Sequence, residues 1–354
     1  MLLIAKGKMK KLLSKIKLGK KKESDMSPSR ITNDTVAEYR ERVLAGGRRF
    51  KYPLQYARHK LVFNTIIISV ATLLILAVLG WAQLYMFNNT GEFMYRVTKV
   101  VPVPVATVDG QTVLYSDYLM KYRSAIYYLE QKEQVNLKTD DGKRQIEYVK
   151  EQSMQDAVAD AYALKLAKDM GLSVSDNELE EFLQAQRQSD DGEITEQTYN
   201  AVIKDYYNWS PDEYKHATKN KLLRQKVAYA LDEKAENTSK DVQTKIKTGA
   251  TNLKELADNT PDATYRSSGW VPKTNQDGGL AMAAALLGKD EVSSKPIKSL
   301  AGDGYYFVKL IDSNSTQVNY EYIHIPLSAF DAALTKIIKD GDFKQYIDVP
   351  ISKD

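Results

Sequence analysis

Apolar and polar positions change rhythm twice along the chain. From Leu61 to Phe87 the residues "LVFNTIIISVATLLILAVLGWAQLYMF" run without a charge, and the uncharged stretch reaches Gly91. A helix needs about 20 apolar residues to cross a bilayer core, so this run predicts one transmembrane helix. Asn64, Ser69 and Thr72 are tolerable within it, and Phe63, Trp81 and Tyr85 suit the interfacial belts. The run is too long for a cleaved leader and lies too far into the chain, so it reads as an anchor.

Beyond the anchor the rhythm becomes helical. "VATVDGQTVLY" alternates around a DG turn and reads as a small hairpin. Ser116 then caps a helix with Tyr118, Leu119, Tyr122, Ile126 and Leu129 on one side. A longer helix over 142–170 carries Ile146, Val149, Met154 and Val158, and Gly171 ends it. "SDNE" (Ser175, Glu178) and "SPDE" (Ser210, Glu213) are capping boxes. The second opens a helix reaching about 235, and "ITEQTYNAVIKDYYN" is a short helix between them. From 237 the pattern changes again. Two helical stretches, a turn at "SSGW" and the short apolar helix "LAMAAALLGKD" lead to two strands, "GYYFVKLID" and "NYEYIHIP", joined by "SNST". The expected fold class is α+β: a single transmembrane helix, a mainly helical domain, and a small α+β domain.

Charge adds a direction. Residues 1–60 hold 17 Lys or Arg and 5 Asp or Glu, a net +12; the whole chain is +4, so the remainder carries −8. The basic flank "RRFKYPLQYARHK", which includes His59, precedes the apolar run. The positive-inside rule then puts the N-terminus in the cytoplasm and residues 90–354 outside, in a single-pass protein of the cell membrane. Residues 1–22 set Lys among Leu2, Leu3, Met9, Leu12, Leu13 and Ile16, which fits a basic amphipathic helix on anionic lipid or a solvated tail. Nucleic acid has no supporting motif. Residues 23–50, broken by "SPS" and "GG", read as mobile.

Chemistry is mostly excluded. With no cysteine, disulfide scaffolds, thiol catalysis and Cys-bound metal are ruled out. Three scattered histidines argue against a metal site, and no phosphate loop or serine-nucleophile motif occurs, so no cofactor is expected. His216 reads as one residue on a charged helix face. Asp140–Asp141 and Asp190–Asp191 read as surface turns.

Three fragments in order resemble the N-terminal domain of SurA-like and PrsA-like extracytoplasmic foldases. "PVATVDGQTVLYSDYLMKYR" is similar to that family's opening strand, turn and first helix. "MGLSVSDNELEEFL" is similar to its helix break, and "YYNWSPDEYKHATKNKLLRQKVA" to its last long helix. Residues 237–312 resemble the parvulin-type (PpiC) prolyl isomerase domain that usually follows, through "DVQTKIKTGATNLKELADN", "SSGW" and "EVSSKPIKSLAGDGYYFVKLID". The family's first strand, "(A/S)-x-H-I-L", is missing before Asp241. A similar pattern, "YIHIPL", comes after the last strand. In the parvulin fold the first and last strands are central neighbours, so a hairpin through "SNST" supplies the missing strand if the domain is permuted. The alternative is an unrelated edge strand.

The resemblance implies a site of two histidines, an acidic or Cys residue and an apolar proline pocket. His324 falls at the first histidine, Tyr306 at the second, and Ser267 near the acidic position. The pocket Phe falls on or near Ala285. Met282, Leu286, Trp270 and Phe307 are the candidate substrate-binding residues. The expected organisation is a basic tail (1–60), the anchor (61–87), a linker (88–99), a SurA N-terminal-like domain (100–236), a parvulin-like domain (237–330) and a C-terminal extension (331–354). The implied function is an anchored chaperone or foldase for unfolded or nascent secreted polypeptides, its parvulin-like domain weak or inactive. An active peptidyl-prolyl cis-trans isomerase and a structural or docking subunit of a cell-envelope complex remain as alternatives.

Overall fold

The computed structural model describes residues 32–51, 53–189 and 192–349. The tail 1–22 and the Asp190–Asp191 pair lie outside them. The chain divides into two compact units, residues 1–77 and 78–354.

The first unit contains α1 (Asn33–Lys51) and most of α2 (Pro53–Tyr85). Of the segment expected to be mobile, 23–50, the described part is helical from Asn33 on. Thr32 and Thr35 exchange backbone and hydroxyl hydrogen bonds at the start of α1, satisfying N–H groups that would otherwise be orphaned. Within α2, the 26 residues Lys60–Tyr85 have a mean hydropathy of 2.6 in their most apolar window, none of it buried. It is the one helix among the described residues long and apolar enough to cross a membrane. At 1.5 Å per residue it is about 39 Å long, against a hydrocarbon core of about 30 Å.

In the second unit, α2 ends in a sharp turn. Asn88 takes a left-handed backbone (φ 46°). Asn89 folds back on Gln83, donating from its backbone to the Gln83 carbonyl (2.9 Å) and from its amide to the Gln83 side chain (2.9 Å). The span expected as a linker, 88–99, instead carries α3 (Glu92–Val100), with Met94, Tyr95 and Thr98 buried. Burial of these three side chains outweighs the loop-like "NNTG" before them.

A hairpin follows, β1 (Pro104–Val108) and β2 (Gln111–Leu114), turning at Asp109–Gly110 where both φ angles are positive. The helices α4 (Tyr115–Gln131), α5 (Asp140–Met170), α6 (Asp176–Gln186), α7 (Glu196–Tyr207) and α8 (Pro211–Leu231) build the module, with the two-residue strands β3 (Gln188–Ser189) and β4 (Gly192–Glu193) after α6. α4 starts one residue before the expected Ser116 cap, and no side chain caps it. Asp140 and Asp141 fall in the first turn of α5, where the helix dipole favours acids. Gly171, at φ 68°, closes α5, and both capping boxes form. Glu213 does more than cap α8: it accepts from the Tyr95 hydroxyl and pairs with Lys99 at 3.1 Å, tying α3 to α8. Burial pushes its carboxyl up, but the Ser210 N–H, Tyr95 and Lys99 outweigh this and hold it at about 2.

α8 stops at Leu231, short of the expected 235. Asp232 leaves helical geometry and accepts the Ala235 N–H at 2.9 Å, opening α9 (Glu233–Lys247). After α10 (Leu253–Asp258) come β5 (Thr264–Pro272), α11 (Leu280–Ala284), β6 (Ile297–Lys298), β7 (Gly304–Ser313) and β8 (Gln317–Pro326). The sheet order is β5-β8-β7-β6, each neighbour antiparallel. "NYEYIHIP" therefore lies inside the sheet, flanked on both sides. One face packs Phe307, Ile323 and Ile325 against Val242 of α9 and Leu253 of α10; the other packs Val308, Leu310 and Tyr320 against Leu280, Ala281 and Ala284 of α11.

The expected extension, 331–354, returns to the helical module. α12 (Ala329–Asp340) buries Phe330 in the same core as Tyr115, Met154 and Val227, and β9 (Phe343–Gln345) pairs with β1 to give the sheet β2-β1-β9. The α+β module is thus an insertion between α8 and α12.

Candidate functional site

Strand register decides which candidate residues meet. Directly opposed residues of neighbouring strands share a sheet face. Tyr306 of β7 opposes His324 of β8, which opposes Thr264 of β5. The Tyr306 and His324 rings stack at 4.4 Å between centroids and 14° between planes. Tyr322 leans on Tyr306 from the same face, centroids 5.5 Å apart. The two positions implied by the resemblance thus form one ring pair inside the sheet.

The Tyr306 hydroxyl and His324 Nε2 are both engaged. The Tyr306 hydroxyl donates to Asp303 Oδ2 at 2.6 Å. Burial, then this hydrogen bond, push that hydroxyl up, so it stays a neutral phenol in the physiological range. The Asp303 carbonyl lies 3.2 Å from His324 Nε2. A carbonyl can only accept, so Nε2 carries the proton. The loop holding Asp303 is in turn fastened to α8: Tyr229 donates to the Gly304 carbonyl at 2.6 Å and the Gln225 amide to the Leu300 carbonyl at 2.9 Å.

The other candidates do not converge there. Ser267 opposes Glu321, and Trp270 opposes Asn319, both on the face away from His324. By plain alternation Arg266 rather than Ser267 shares the face of Tyr322, and a bulge between Ser267 and Gly269 then turns Trp270 to the far face. Phe307 is fully buried in the core beneath α9 and α10. Ala285 packs against the α11 face of the sheet. Leu286 is 87% exposed beyond the end of α11. Met282 is half exposed, and it lines a cavity.

That cavity, about 460 Å³, lies between α6 and α8 of the helical module and the α11 region of the insertion. Phe182, Trp209 and Tyr214 face Met282 and Leu300 across it. The aromatic wall is rigid: Tyr207 stacks on Trp209 at 5.0 Å, Trp209 donates to the Met120 carbonyl at 3.2 Å, and the Tyr199 and Tyr214 hydroxyls are 2.7 Å apart. A second cavity, about 820 Å³, runs between α5, α8 and α12, and shares Asp156, Lys221 and Arg224 with the first. Arg224 bridges Asp156 (3.4 Å) and the buried Asp160 (3.3 Å), which also holds Lys121 (2.8 Å). The sequence signal for the aromatic wall was "YYNWSPDEY", whose rings flank the α8 cap.

His216 is not merely solvated: Asp117 Oδ1 lies 2.9 Å from its Nε2 and raises its pKa. Among the described residues, no group of three His, Asp or Glu side chains could hold a metal ion.

Comparison with known families agrees with this layout. Residues 54–228 match the SurA-like N-terminal domain, and residues 199–322 match the PPIC-type PPIase domain. The chain belongs to the SurA/PrsA-like foldases. The two matches overlap on α7 and α8, and the second ends at Tyr322, two residues before His324. No curated protein and no solved structure matches the chain. These domains mark a prolyl isomerase and chaperone family.

Proposed function

We propose that this SurA/PrsA-like protein is a membrane-anchored, extracytoplasmic chaperone that holds unfolded secreted polypeptides, and that its parvulin-like module, a permuted form of that fold, has little or no isomerase activity. The observation that carries the reading is the contrast between the two sites. The aromatic cavity is open, and its apolar patch of Phe182, Trp209, Tyr214 and Met282 borders charged groups such as Lys121, Asp160 and Arg224. Such a half-wet lining suits polypeptide rather than a purely apolar ligand. The ring pair has its hydroxyl and its protonated nitrogen committed to Asp303. Rotation about a peptide bond faces a barrier near 18–20 kcal/mol, and lowering it needs donors free to favour the twisted amide. The most apolar window of α2, none of it buried, supports the anchor, which raises the effective concentration of clients at the membrane.

The full chain in lipid vesicles is expected to slow aggregation of a chemically unfolded reporter protein. Met282→Glu and Leu300→Glu, at exposed positions on the cavity wall, are expected to weaken that protection. Absence of any slowing by the wild type, at stoichiometric excess, removes the chaperone reading.

The stacking of Tyr306 on His324 within the sheet favours a second reading, an active isomerase. The two are separated by cis/trans exchange in an X-Pro peptide, slow without catalysis. We expect exchange at the buffer rate. Faster exchange, lost in both His324→Ala and Tyr306→Phe, establishes the second reading instead.

A further inference from the structure

α3 carries two apolar faces. The inner one, Met94, Tyr95 and Thr98, is buried in the module. The outer one is Phe93, Val97 and Val100, at i, i+4 and i+7, continued by Val101 at the C-cap. Such spacing makes one stripe along a helix. Phe93 is 70% exposed, Val100 83% and Val101 52%. Met86 and Phe87, in the turn before α3, are exposed to a similar degree. A contiguous apolar stripe of this kind marks a surface that something covers.

Its place in the fold says what. Both ends of α3 are held close to the point where the apolar helix stops. The Tyr85 hydroxyl donates to the Pro104 carbonyl at 2.6 Å, and the Tyr115 hydroxyl to the Leu84 carbonyl at 3.0 Å. Val101 is three residues from Pro104, so their Cα atoms are at most about 11 Å apart. At the other end, Asn89 is folded back on Gln83, and Phe93 is four residues on, within about 15 Å. Arg123 secures this start, donating to the Thr90 carbonyl at 3.1 Å and pairing with Glu92. The stripe cannot swing away from the end of α2 without breaking these bonds. Arg96 and Lys99 lie beside it, exposed though salt-bridged to Glu92 (2.8 Å) and Glu213 (3.1 Å), so the border of the stripe is polar, as a headgroup zone requires.

We propose that the outer face of α3, with Met86 and Phe87, sits in the interfacial zone of the bilayer and fixes the chaperone module to the membrane surface. This rests on the reading of α2 as the anchor. The occupant of the stripe is lipid, because the stripe is tied beside the last turn of the apolar helix and joined to it by an uncharged turn whose Met86 and Phe87 are themselves exposed.

The chain has no cysteine, so single cysteines at chosen sites can carry a nitroxide. The test uses Phe93→Cys and Val100→Cys, exposed positions whose labelling disturbs no packing, in the full chain in phosphatidylcholine–phosphatidylglycerol vesicles. Leu73→Cys in α2 reports on the anchor. Tyr148→Cys, 62% exposed on α5, reports on water. Collisions with dissolved oxygen and with a water-soluble nickel chelate are read by electron paramagnetic resonance. The expected result is a loss of nickel collisions and a gain of oxygen collisions at Phe93 and Val100 relative to Tyr148. If both labels match Tyr148 while Leu73 stays oxygen-rich, the stripe faces water and the proposal is overturned with the anchor intact. If both are shielded from both reagents, protein covers the face and the proposal is likewise overturned. Nickel access at Leu73 overturns the anchor reading and the proposal with it.

Discussion

Replacing Asp232 by Ala is expected to lower stability by about 3 kcal/mol or more and to loosen the joint between the modules. Asp232 is 2% exposed and sits where the chain leaves the helical module. One carboxylate oxygen accepts the Ala235 N–H at 2.9 Å; the other accepts Ser328 N–H at 2.7 Å and Ala329 N–H at 3.0 Å, where the chain comes back. One side chain therefore pins both crossings of the inserted domain. Burial alone would push its carboxyl up, yet these backbone donors hold it below the usual carboxylate range. Charged hydrogen bonds contribute about 1.5–3 kcal/mol each in net terms, and removing the acceptor leaves buried donors unpaired. For a domain of this size the melting temperature should fall by roughly 6–12 °C. The sign with pH follows from the depressed folded value. The stabilisation is fully present above the unfolded pKa of about 3.9 and is lost as pH falls through the lower folded one. The gap between wild type and Asp232→Ala should thus hold from pH 8 to 5 and narrow below about pH 4. Hydrogen exchange should show faster exchange at Ala235, Ser328 and Ala329. A melting temperature unchanged within a degree, with those amides still protected, would refute the clamp.

What the sequence made legible was local. Capping boxes at Ser175 and Ser210 formed because the partners lie three residues apart and need no distant help. The hairpin ending in "NYEYIHIP" was readable from its alternation, but the missing strand upstream left a central and an edge seat both open, and only the pairing with β5 and β7 decides for the centre. Long-range pairing was not legible. Phe343–Gln345 is too short to signal a strand, and its partner, β1, lies more than 200 residues earlier in the chain. α3 hid behind a turn-like preface. At the candidate site, the resemblance named Tyr306 and His324, which the register sets opposite each other, but it misplaced Ser267, which plain alternation from Thr264 turns to the other face, and Trp270, whose face is set by a bulge that leaves no composition signature. Asp303, which engages both rings, belongs to no motif and became visible only through geometry. The aromatic cavity was likewise hidden: its rings come from α6, the end of α7, α8 and the turn between α7 and α8, and its far wall from an insertion nearly 70 residues on.

Gly304→Ala is expected to pry β8 away from β7 at its Pro326 end. Gly304 opposes Pro326 in the register. A Cβ there would lie 2.2 Å from the Ile325 carbonyl oxygen, 3.0 Å from the Ile325 carbonyl carbon and 2.7 Å from His324 Nε2. The first two are backbone atoms, so rotation of a side chain cannot relieve them. The strands must separate, which breaks the Leu327 N–H bond to the Asp303 carbonyl (3.1 Å) and moves His324 off Tyr306. Overpacking of this kind costs about 1–3 kcal/mol, and the lost ladder bonds add to it. The effect should be local: amides of β7 and β8 near this end lose exchange protection, while those of α5 and β1 keep theirs. Adding His324→Ala removes the 2.7 Å contact but not the 2.2 Å one, so the double variant should recover little of the loss. Full recovery would mean that the histidine ring, not the strand backbone, sets the close approach. Unchanged protection in Gly304→Ala would mean that the strands are not seated as closely as the β7–β8 register requires. Because β8 supplies His324 to the ring pair from the C-terminal side, this glycine ties the integrity of the candidate site to one backbone contact and not to any catalytic side chain.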